Sequence, residues 1–395
     1  MKTERADTLN AKAKDIAEEL TKIRRQIHRT PELGFGEKVT ARVICDKLKA
    51  LGIEFRSGVG KTGVVGLIKG CGDGKTVCLR ADMDALPVQE ENEVPYASQK
   101  KGIMHACGHD AHVACLLGAA NLLAPLRDQF QGNIKLVFQP AEEIDQGARA
   151  VLSDGGFESP RPDTIFGLHV NPELPVGSIG LREGPLMAAI DTIRISMKGK
   201  GGHGAMPHKC IDAVVAASAL VMNLQTAVSR EVDPIQPTVI SIGTFHGGQA
   251  ENTIASQADL TGTVRTLDPK MRQSLPDIIE RICQNTAASF GAKVSLDYQQ
   301  LTPLLVNSPE MVDKVAEAST ACLGAKSLVE APISMVGDDF AFYLKEVPGA
   351  YFYLGARNVN EVHALHSSCF DIDESALPLG AAVLAYTALL MLEIS

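Results

Sequence analysis

The sequence predicts an α/β protein in two parts, with helices on both faces of a mixed sheet interrupted by a smaller α+β domain. Three observations carry that expectation. Short β-branched runs alternate with apolar helical stretches over residues 60–170, the order that builds an α/β layer structure. The character changes near 187, where a strand–helix–strand–strand–helix–strand series begins, the pattern of a split-βαβ sandwich with one solvated sheet face. After that series the chain returns to the first kind of segment. The expected division is residues 1–186 plus 298–395 for the larger domain and 187–297 for the inserted one.

Each element has its own signal. Ile16, Leu20, Ile23 and Ile27 recur at helical spacing, with Thr8 as the expected cap and Pro31 beyond the end. Strands are expected at Gly63–Ile68, Thr76–Arg80, Asn133–Phe138 and Thr164–Val170, with helices at 112–125 and 146–153. In the inserted part, Ile193, Ile195 and Met197 alternate with polar neighbours, which marks a half-exposed strand. A helix over about 211–229 follows, then strands at 238–245 and 258–266, a helix near 270–290 and a strand at 293–299. Residues 309–323 read as helix and 350–354 as strand.

Composition narrows the function classes. The chain has 395 residues, enough for two or three domains, and is 45% hydrophobic and 22% charged, the balance of a globular enzyme-sized protein. Its net charge of −9 and the lack of a basic run give no electrostatic support to a nucleic-acid or anionic-membrane partner. Nine cysteines lie scattered without a paired spacing, and the N-terminal residues Lys2, Glu4, Arg5 and Asp7 are polar, so reduced thiols and a cytoplasmic location are expected. Ala376–Leu392 is nearly apolar, but it falls short of the roughly 20 residues a membrane span needs and contains Pro378 and Gly380. A buried terminal helix is expected there, starting after Asp373, Glu374 and Ser375 with Pro378 in its first turn.

The chemistry concentrates in residues 104–112, Met-His-Ala-Cys-Gly-His-Asp-Ala-His. Cys107, His109, Asp110 and His112, with His105, are all metal-capable, and thiolate, imidazole and carboxylate together suit zinc or a similar divalent ion. Further donors stand just past expected strand ends, where α/β proteins place their sites: Glu142-Glu143, His169 and, late in the chain, His366. Adjacent carboxylates on a turn point in different directions, so one can ligate while the other stays free as a base. Taken singly, Cys107 reads as a small buried hydrophobe, the glutamates as a surface pair and His169 as a core histidine. The joint pattern sets them apart, because Cys, His, Glu, His and His suffice for one or two ions.

Beyond these residues, the chain resembles the M20 metallopeptidase/amidohydrolase family over nearly its whole length. Ile27-His28-Arg29-Thr30-Pro31-Glu32-Leu33-Gly34-Phe35 looks like that family's opening signature, and Arg80-Ala81-Asp82-Met83-Asp84-Ala85-Leu86-Pro87 its next block. The blocks His105–His112, Gln139–Glu143, Gly167–Val170, Gly201–His208 and Gly337–Tyr343 follow in the family's order. They are most similar to the subgroup of aminoacylases, hippurate hydrolases and auxin-conjugate (IAA-amino acid) hydrolases. Arg80 stands where many M20 peptidases have a ligand His, a departure that the same subgroup shares.

The resemblance implies a catalytic metal-binding domain interrupted by a lid and dimerisation domain. It implies Cys107, His109, Glu143, His169 and His366 as ligands of one or two divalent ions (zinc, manganese, cobalt or nickel). Glu142 matches the general base and Asp82 the acid that orients a ligand. His203, flanked by glycines, matches a residue that reaches a neighbouring subunit's site and stabilises the oxyanion. Asn252 and Arg265 match residues that hold the substrate, Arg265 through its carboxylate. Gly337, in a turn ahead of an expected helix start, offers a backbone N–H to the same group, and Asp338 and Asp339 read as helix caps. The implied activity is hydrolysis of N-acyl amino acids to a carboxylic acid and a free amino acid, in a homodimer or dimer-based oligomer. Acetyl, benzoyl, indole-acetyl and succinyl acyl groups all fit. The alternatives are an M20 dipeptidase or carboxypeptidase-type exopeptidase, an N-acetyldiaminopimelate deacetylase, or a non-enzymatic metal-binding dimer.

Overall fold

The computed structural model describes residues 2–358 and 362–392. The chain divides into two compact units: Met1–Leu186 with Val306–Pro332 and Asp338–Ser395, and Met187–Leu305 with Ile333–Gly337. The second unit extends past the expected boundary at 297 because its last strand continues as Lys293–Thr302. It also takes back the short stretch Ile333–Gly337.

In the first unit an eight-stranded mixed sheet runs in the order Glu54–Val59, Gly63–Lys69, Asn133–Gln139, Thr76–Asp82, Thr164–Asn171, Gly349–Gly355, Ile179–Leu181, Leu328–Glu330. The central strands Asn133–Gln139, Thr76–Asp82, Thr164–Asn171 and Gly349–Gly355 are parallel to one another, and Glu54–Val59 and Gly63–Lys69 add an antiparallel edge. Alternation along these strands sorts the residues by face. Val77, Leu79, Ala81, Phe166, Leu168 and Val170 join the main apolar core with the helices Ala17–Arg29, His109–Leu123 and Ala376–Met391. The intervening positions Arg80, Asp82, Gln139 and His169 carry the polar groups, all of them buried. Hence the polar site is assembled on one face, toward the carboxyl ends of the parallel strands, which is where such sheets open to ligands.

Several local expectations are corrected. The first helix begins at Lys2, so Thr8 is not a cap; its hydroxyl bonds the Glu4 carbonyl inside the helix. The helix also breaks at Ile16 and resumes as Ala17–Arg29. The helix Lys38–Ala50 adds to the expected elements, its Thr40, Val43, Ile44 and Leu48 falling on one buried face at helical spacing, and the edge strand Glu54–Val59 carries no sequence signal because it is exposed at five of its six positions. The terminal helix Ala376–Met391 is buried along most of its length, and among the described residues no helix is long and apolar enough to cross a membrane.

The second unit is a four-stranded antiparallel sheet in the order Thr238–Gly247, Gln257–Thr266, Ala189–Lys198, Lys293–Thr302. The helices Ala213–Thr226 and Pro269–Ser289 pack on the face that carries Ile193, Ile195, Met197 and Leu260. Arg194 on the opposite face is exposed, as the alternating sequence requires. The Asp212 carboxylate caps the first of these helices by accepting the N–H groups of Val214 and Val215, so the helix starts at 213 rather than 211. At its other end it widens into a π turn over Ala227–Glu231.

Candidate metal centre

Five side chains expected to bind metal converge in the first unit. Cys107 Sγ lies 3.3 Å from His169 Nε2, and His366 Nε2 lies 3.5 Å from Glu143 Oε1. His109 Nε2 lies 3.8 Å from each of Glu143 Oε1, Glu142 Oε2 and Asp82 Oδ2. The donor atoms form overlapping groups, Cys107–His109–His169, Cys107–Glu143–His366 and His109–Glu142–Glu143.

Local structure explains the convergence. Gly108 adopts φ 86° between Cys107 and His109, and a Cβ there would lie 2.4 Å from Val170 Cγ2. Only glycine allows this turn, which sends Cys107 and His109 into the same pocket before the helix His109–Leu123 begins. Ala141 (φ 52°) and His366 (φ 67°) are non-glycine residues in the left-handed region, a local cost of about 1–3 kcal/mol each. Both are pinned: Ala141 N–H donates to buried Glu37 Oε1 at 2.8 Å, and His366 N–H donates to Ala106 O at 2.8 Å. The strained turn at 141 releases the glutamate pair from the strand end into the short 3-10 turn Glu142–Ile144.

The surrounding hydrogen bonds separate expected ligands from side chains that are already engaged. His169 Nδ1 donates to Val170 O at 2.7 Å, which turns Nε2 toward Cys107. His112 Nδ1 bonds Asp82 Oδ1 at 2.5 Å and its Nε2 accepts the Val170 N–H at 2.9 Å, so both ring nitrogens are engaged and His112 is a brace. Asp110 is likewise engaged, accepting from Arg24 Nε and His28 Nδ1 at 2.8 Å each. His105 is buried and belongs to none of the donor groups. Asp82 binds His112 and Arg80 Nη1 (2.6 Å), and its contact with a ligand is the 3.8 Å approach to His109. Arg80 is fully buried; it also reaches Asp338 and Asp339 at 3.2 and 3.3 Å and donates to Gln139 at 2.9 Å. Asp338 does accept the Phe340 N–H, but it and Asp339 are buried partners of Arg80 more than helix caps.

A divalent cation fits this pocket. His109 Nε2 and Glu143 Oε1 are buried and have no hydrogen-bond partner, an unfavourable state for polar atoms that a shared cation relieves. Burial and the neighbouring glutamates push the Cys107 thiol well up, and burial with the nearby carboxylates lifts Glu143 to about 7 against the pull of His109. Burial opposes charge on His109, yet Asp82 and Asp84 outweigh it and raise its pKa to about 10. Thiolate, neutral imidazole and carboxylate are the forms a cation favours, so its charge counters each of these shifts. Burial, then Asp338 and Glu143, hold Glu142 well above the usual carboxylate range.

The family model for peptidase family M20/M25/M40 matches residues 78–390. The chain belongs to this family. It is 40% identical over 389 residues to thermostable carboxypeptidase 2 of Saccharolobus solfataricus, covering 97% of this chain and 98% of that one. It is also 40% identical over 380 residues to the hippurate hydrolase of Campylobacter jejuni, covering 95% and 97%. The solved structure of a dinuclear metal binding peptidase of the M20 family from Bacillus subtilis superposes with a TM-score of 0.85 at 37% identity, covering 97% of this chain and 100% of that one. That neighbour and the grouped donors support divalent metal ions in this M20 chain.

The second unit holds the other expected site residues. The strand Gly202–His203 pairs with Thr253–Ile254, and Gly204 N–H donates to Asn252 O at 2.8 Å, so His203 and Asn252 share one exposed two-stranded corner. His203 Nδ1 accepts the Ala205 N–H at 3.1 Å, which leaves the ring proton on Nε2. Arg265 is half-buried on its strand and donates from Nη1 to Met335 O at 2.8 Å. Gly337 packs so closely that a Cβ would lie 2.5 Å from Ile190 Cδ1. The helix expected to start beside it begins only at Ala341 and has six residues, so a helix terminus does not account for Gly337.

Proposed function

We propose that this M20 enzyme is an amidohydrolase that cleaves N-acyl amino acids into a carboxylic acid and a free amino acid. The observation that carries the reading is a second glutamate, Glu142, standing beside the Cys107, His109, Glu143, His169 and His366 donors with Oε2 3.8 Å from His109 Nε2. Cys107, His109, Glu143, His169 and His366 would hold one or two divalent ions, zinc best matching the thiolate. Such an ion supplies Lewis-acid polarisation of the scissile carbonyl and acidifies bound water. Glu142 removes a proton from the attacking water and delivers it to the leaving amine, the ionised carboxylate needed for the first step being favoured once a cation sits beside it. Asp82 and His112 keep the ligand framework fixed.

From the second unit, His203 would donate its Nε2–H to the developing oxyanion, and the bond from Ala205 sets that tautomer. Arg265, with Asn252 and the Gly337 backbone, would select a substrate bearing a free α-carboxylate. The second unit would serve as lid and dimer contact, His203 acting on a partner copy's substrate in a homodimer. A soluble cytoplasmic enzyme with zinc, manganese, cobalt or nickel in its site completes the proposal. Relatives named carboxypeptidase fit the exopeptidase alternative only loosely, and it requires recognition of a peptide in place of an acyl group.

The deciding experiment is hydrolysis of N-acetyl and N-benzoyl amino acids, and of dipeptides, before and after chelation. Acyl amino acids should be hydrolysed, and chelation should abolish turnover until a divalent ion is restored. Turnover of dipeptides alone, or activity indifferent to chelation, would overturn the proposal.

A further inference from the structure

A second buried polar cluster in the first unit ends beside the donor pocket without belonging to it. Its centre is His28, on the helix Ala17–Arg29, with a side chain 1% exposed. Both ring nitrogens face carboxylates: Nδ1 lies 2.8 Å from Asp110 Oδ2 and Nε2 lies 3.2 Å from Glu90 Oε1. A neutral imidazole has one N–H and one lone pair, so it donates to one of these carboxylates and turns the lone pair on the other. Only the imidazolium donates to both. The Glu90 side chain is 3% exposed, and its other donors, Asn92 Nδ2 at 3.1 Å and the Ser98 N–H at 2.6 Å, are neutral. A carboxylate so deep in the protein calls for a counter-charge, and His28 supplies it.

The remaining groups around His28 leave that charge in place. Arg24, one turn earlier on the same helix, brings Nη2 to 3.5 Å from Nδ1, but it also donates to Asp110, Asp371 and Glu374 at 2.8, 2.9 and 3.2 Å. Its charge is therefore shared among three acids. Tyr96 stands edge-on with ring centroids 5.8 Å apart, and the His105 ring lies 6.2 Å away. Burial raises Tyr96 to about 12 and drops His105 to about 3, so both are neutral. Burial and Arg24 oppose charge on His28, yet Asp110 and Glu90 outweigh them and raise its pKa.

Glu90 belongs to a segment whose place depends on such bonds, because residues 88–98 form no helix or strand. Three of them reach the late segment that follows His366. Glu91 N–H donates to Ser368 O at 2.9 Å, Asn92 Nδ2 to Phe370 O at 3.0 Å and the Tyr96 hydroxyl to Asp371 Oδ2 at 2.7 Å. Ser368 Oγ returns a bond to Glu91 Oε2 at 2.6 Å. A chain of contacts thus runs from Asp110, next to His109, through His28 and Glu90 to residues 368–371. His366 is the exposed donor and sits in the left-handed region, so it depends on this support more than the buried donors do.

We propose that His28 is a positioning residue: as an imidazolium between Asp110 and Glu90, it fastens residues 88–98 across the 366–371 segment and fixes His366 relative to His109. The step to the metal rests on the ligand set proposed above; the charged clamp does not.

The first test uses the wild-type protein without metal, labelled with 15N at histidine and followed by NMR between about pH 6 and pH 9. Both His28 nitrogens should carry protons at the acid end. Charge on His28 holds the clamp, so amide-exchange protection of residues 88–98 and 366–371 should be full below the ordinary histidine value of 6.5 and fall as the pH rises through the raised one. The expected fall is roughly 10–100-fold, the range for a hydrogen bond to a charged group. A neutral His28 at the acid end, or protection indifferent to its titration, would overturn the proposal. The second test uses zinc ion as the probe. In His28→Gln, zinc affinity measured by competition with a chelating dye should fall about tenfold, the low end for groups that support a ligand. Added to His366→Ala, the same substitution should cost nothing further, because the clamp acts through that ligand. A His28→Gln protein that melts lower but binds zinc normally, or loses affinity equally in both backgrounds, would reduce His28 to a structural role and overturn the proposal. If the variant does not fold, the wild-type measurement still decides. Failure of the reaction is separable: an active Glu142→Gln variant would overturn the hydrolytic assignment and leave these results standing.

Discussion

The donor pocket of the first unit and the His203 corner of the second are built on opposite principles. In the pocket, all the donors but exposed His366 are buried or half-buried, and several groups are held by side-chain partners: His112 between Asp82 and Val170, His169 by Val170, and the Glu142 and Glu143 backbone N–H groups by the Asp84 carboxylate. At the corner, His203 and Asn252 are exposed, and what holds them is backbone: a two-residue ladder, the Gly204–Asn252 bond and the Ala205 bond to the His203 ring. The pocket is organised before substrate arrives, with buried unsatisfied atoms that call for a cation. The corner is ordered only as far as its main-chain bonds and its His203 tautomer, and the His203 and Asn252 side chains stay exposed. In physical terms, losses in the pocket should appear in chemistry or metal content, and losses at the corner in chemistry alone.

Glu142→Gln is the sharpest break on the pocket side. Glutamine keeps the shape and the backbone bonds to Asp84 but cannot take a proton. Metal content should match wild type, while turnover drops about 10²–10⁴-fold, the range for losing a general acid–base group. Near-normal turnover with metal in place would remove Glu142 from the mechanism.

On the corner side, His203→Ala should leave folding and metal content untouched, because the corner is made by main-chain bonds. The expected cost is about 10²–10³ in kcat, as for removal of one oxyanion donor. Mixing this variant with Glu142→Gln tests whether the corner serves a partner copy. Hybrid dimers should regain activity, since one of their two sites combines an intact Glu142 with an intact His203. No recovery would confine His203 to its own chain or to no role.

The two regions also differed in how legible they were. Short β-branched runs gave the strands Thr76–Asp82, Asn133–Gln139 and Thr164–Asn171, because central parallel strands must bury both faces. The strand–helix order of the second unit was equally plain, since its sheet leaves one face to water and alternates accordingly. The edge strand Glu54–Val59 left no trace because it is exposed at most positions and reads as loop. Within the pocket, residue chemistry showed which side chains could ligate but not which were already engaged. His112 and Asp110 have the same composition signal as His109, and only their hydrogen bonds to Asp82, Val170, Arg24 and His28 separate them. Asp84 stood in a quoted motif two residues after Asp82, but its role depends on backbone N–H groups 58 and 59 residues away. No spacing rule reaches that far.

The smallest expected effect supplies the contrast for all the others. Asp212 caps the helix Ala213–Thr226 in the second unit and contacts none of the proposed site residues. Asp212→Ala should cost about 1 kcal/mol of stability, the usual value of an N-cap, because two N–H groups at the helix start lose their acceptor. Zinc affinity and kcat should not move. Chemical denaturation followed by probes in each unit would show whether the loss stays in the second. If this variant lowered zinc affinity, the pocket would not be an independently organised structure, and the contrast between a prepared pocket and an open corner would fail.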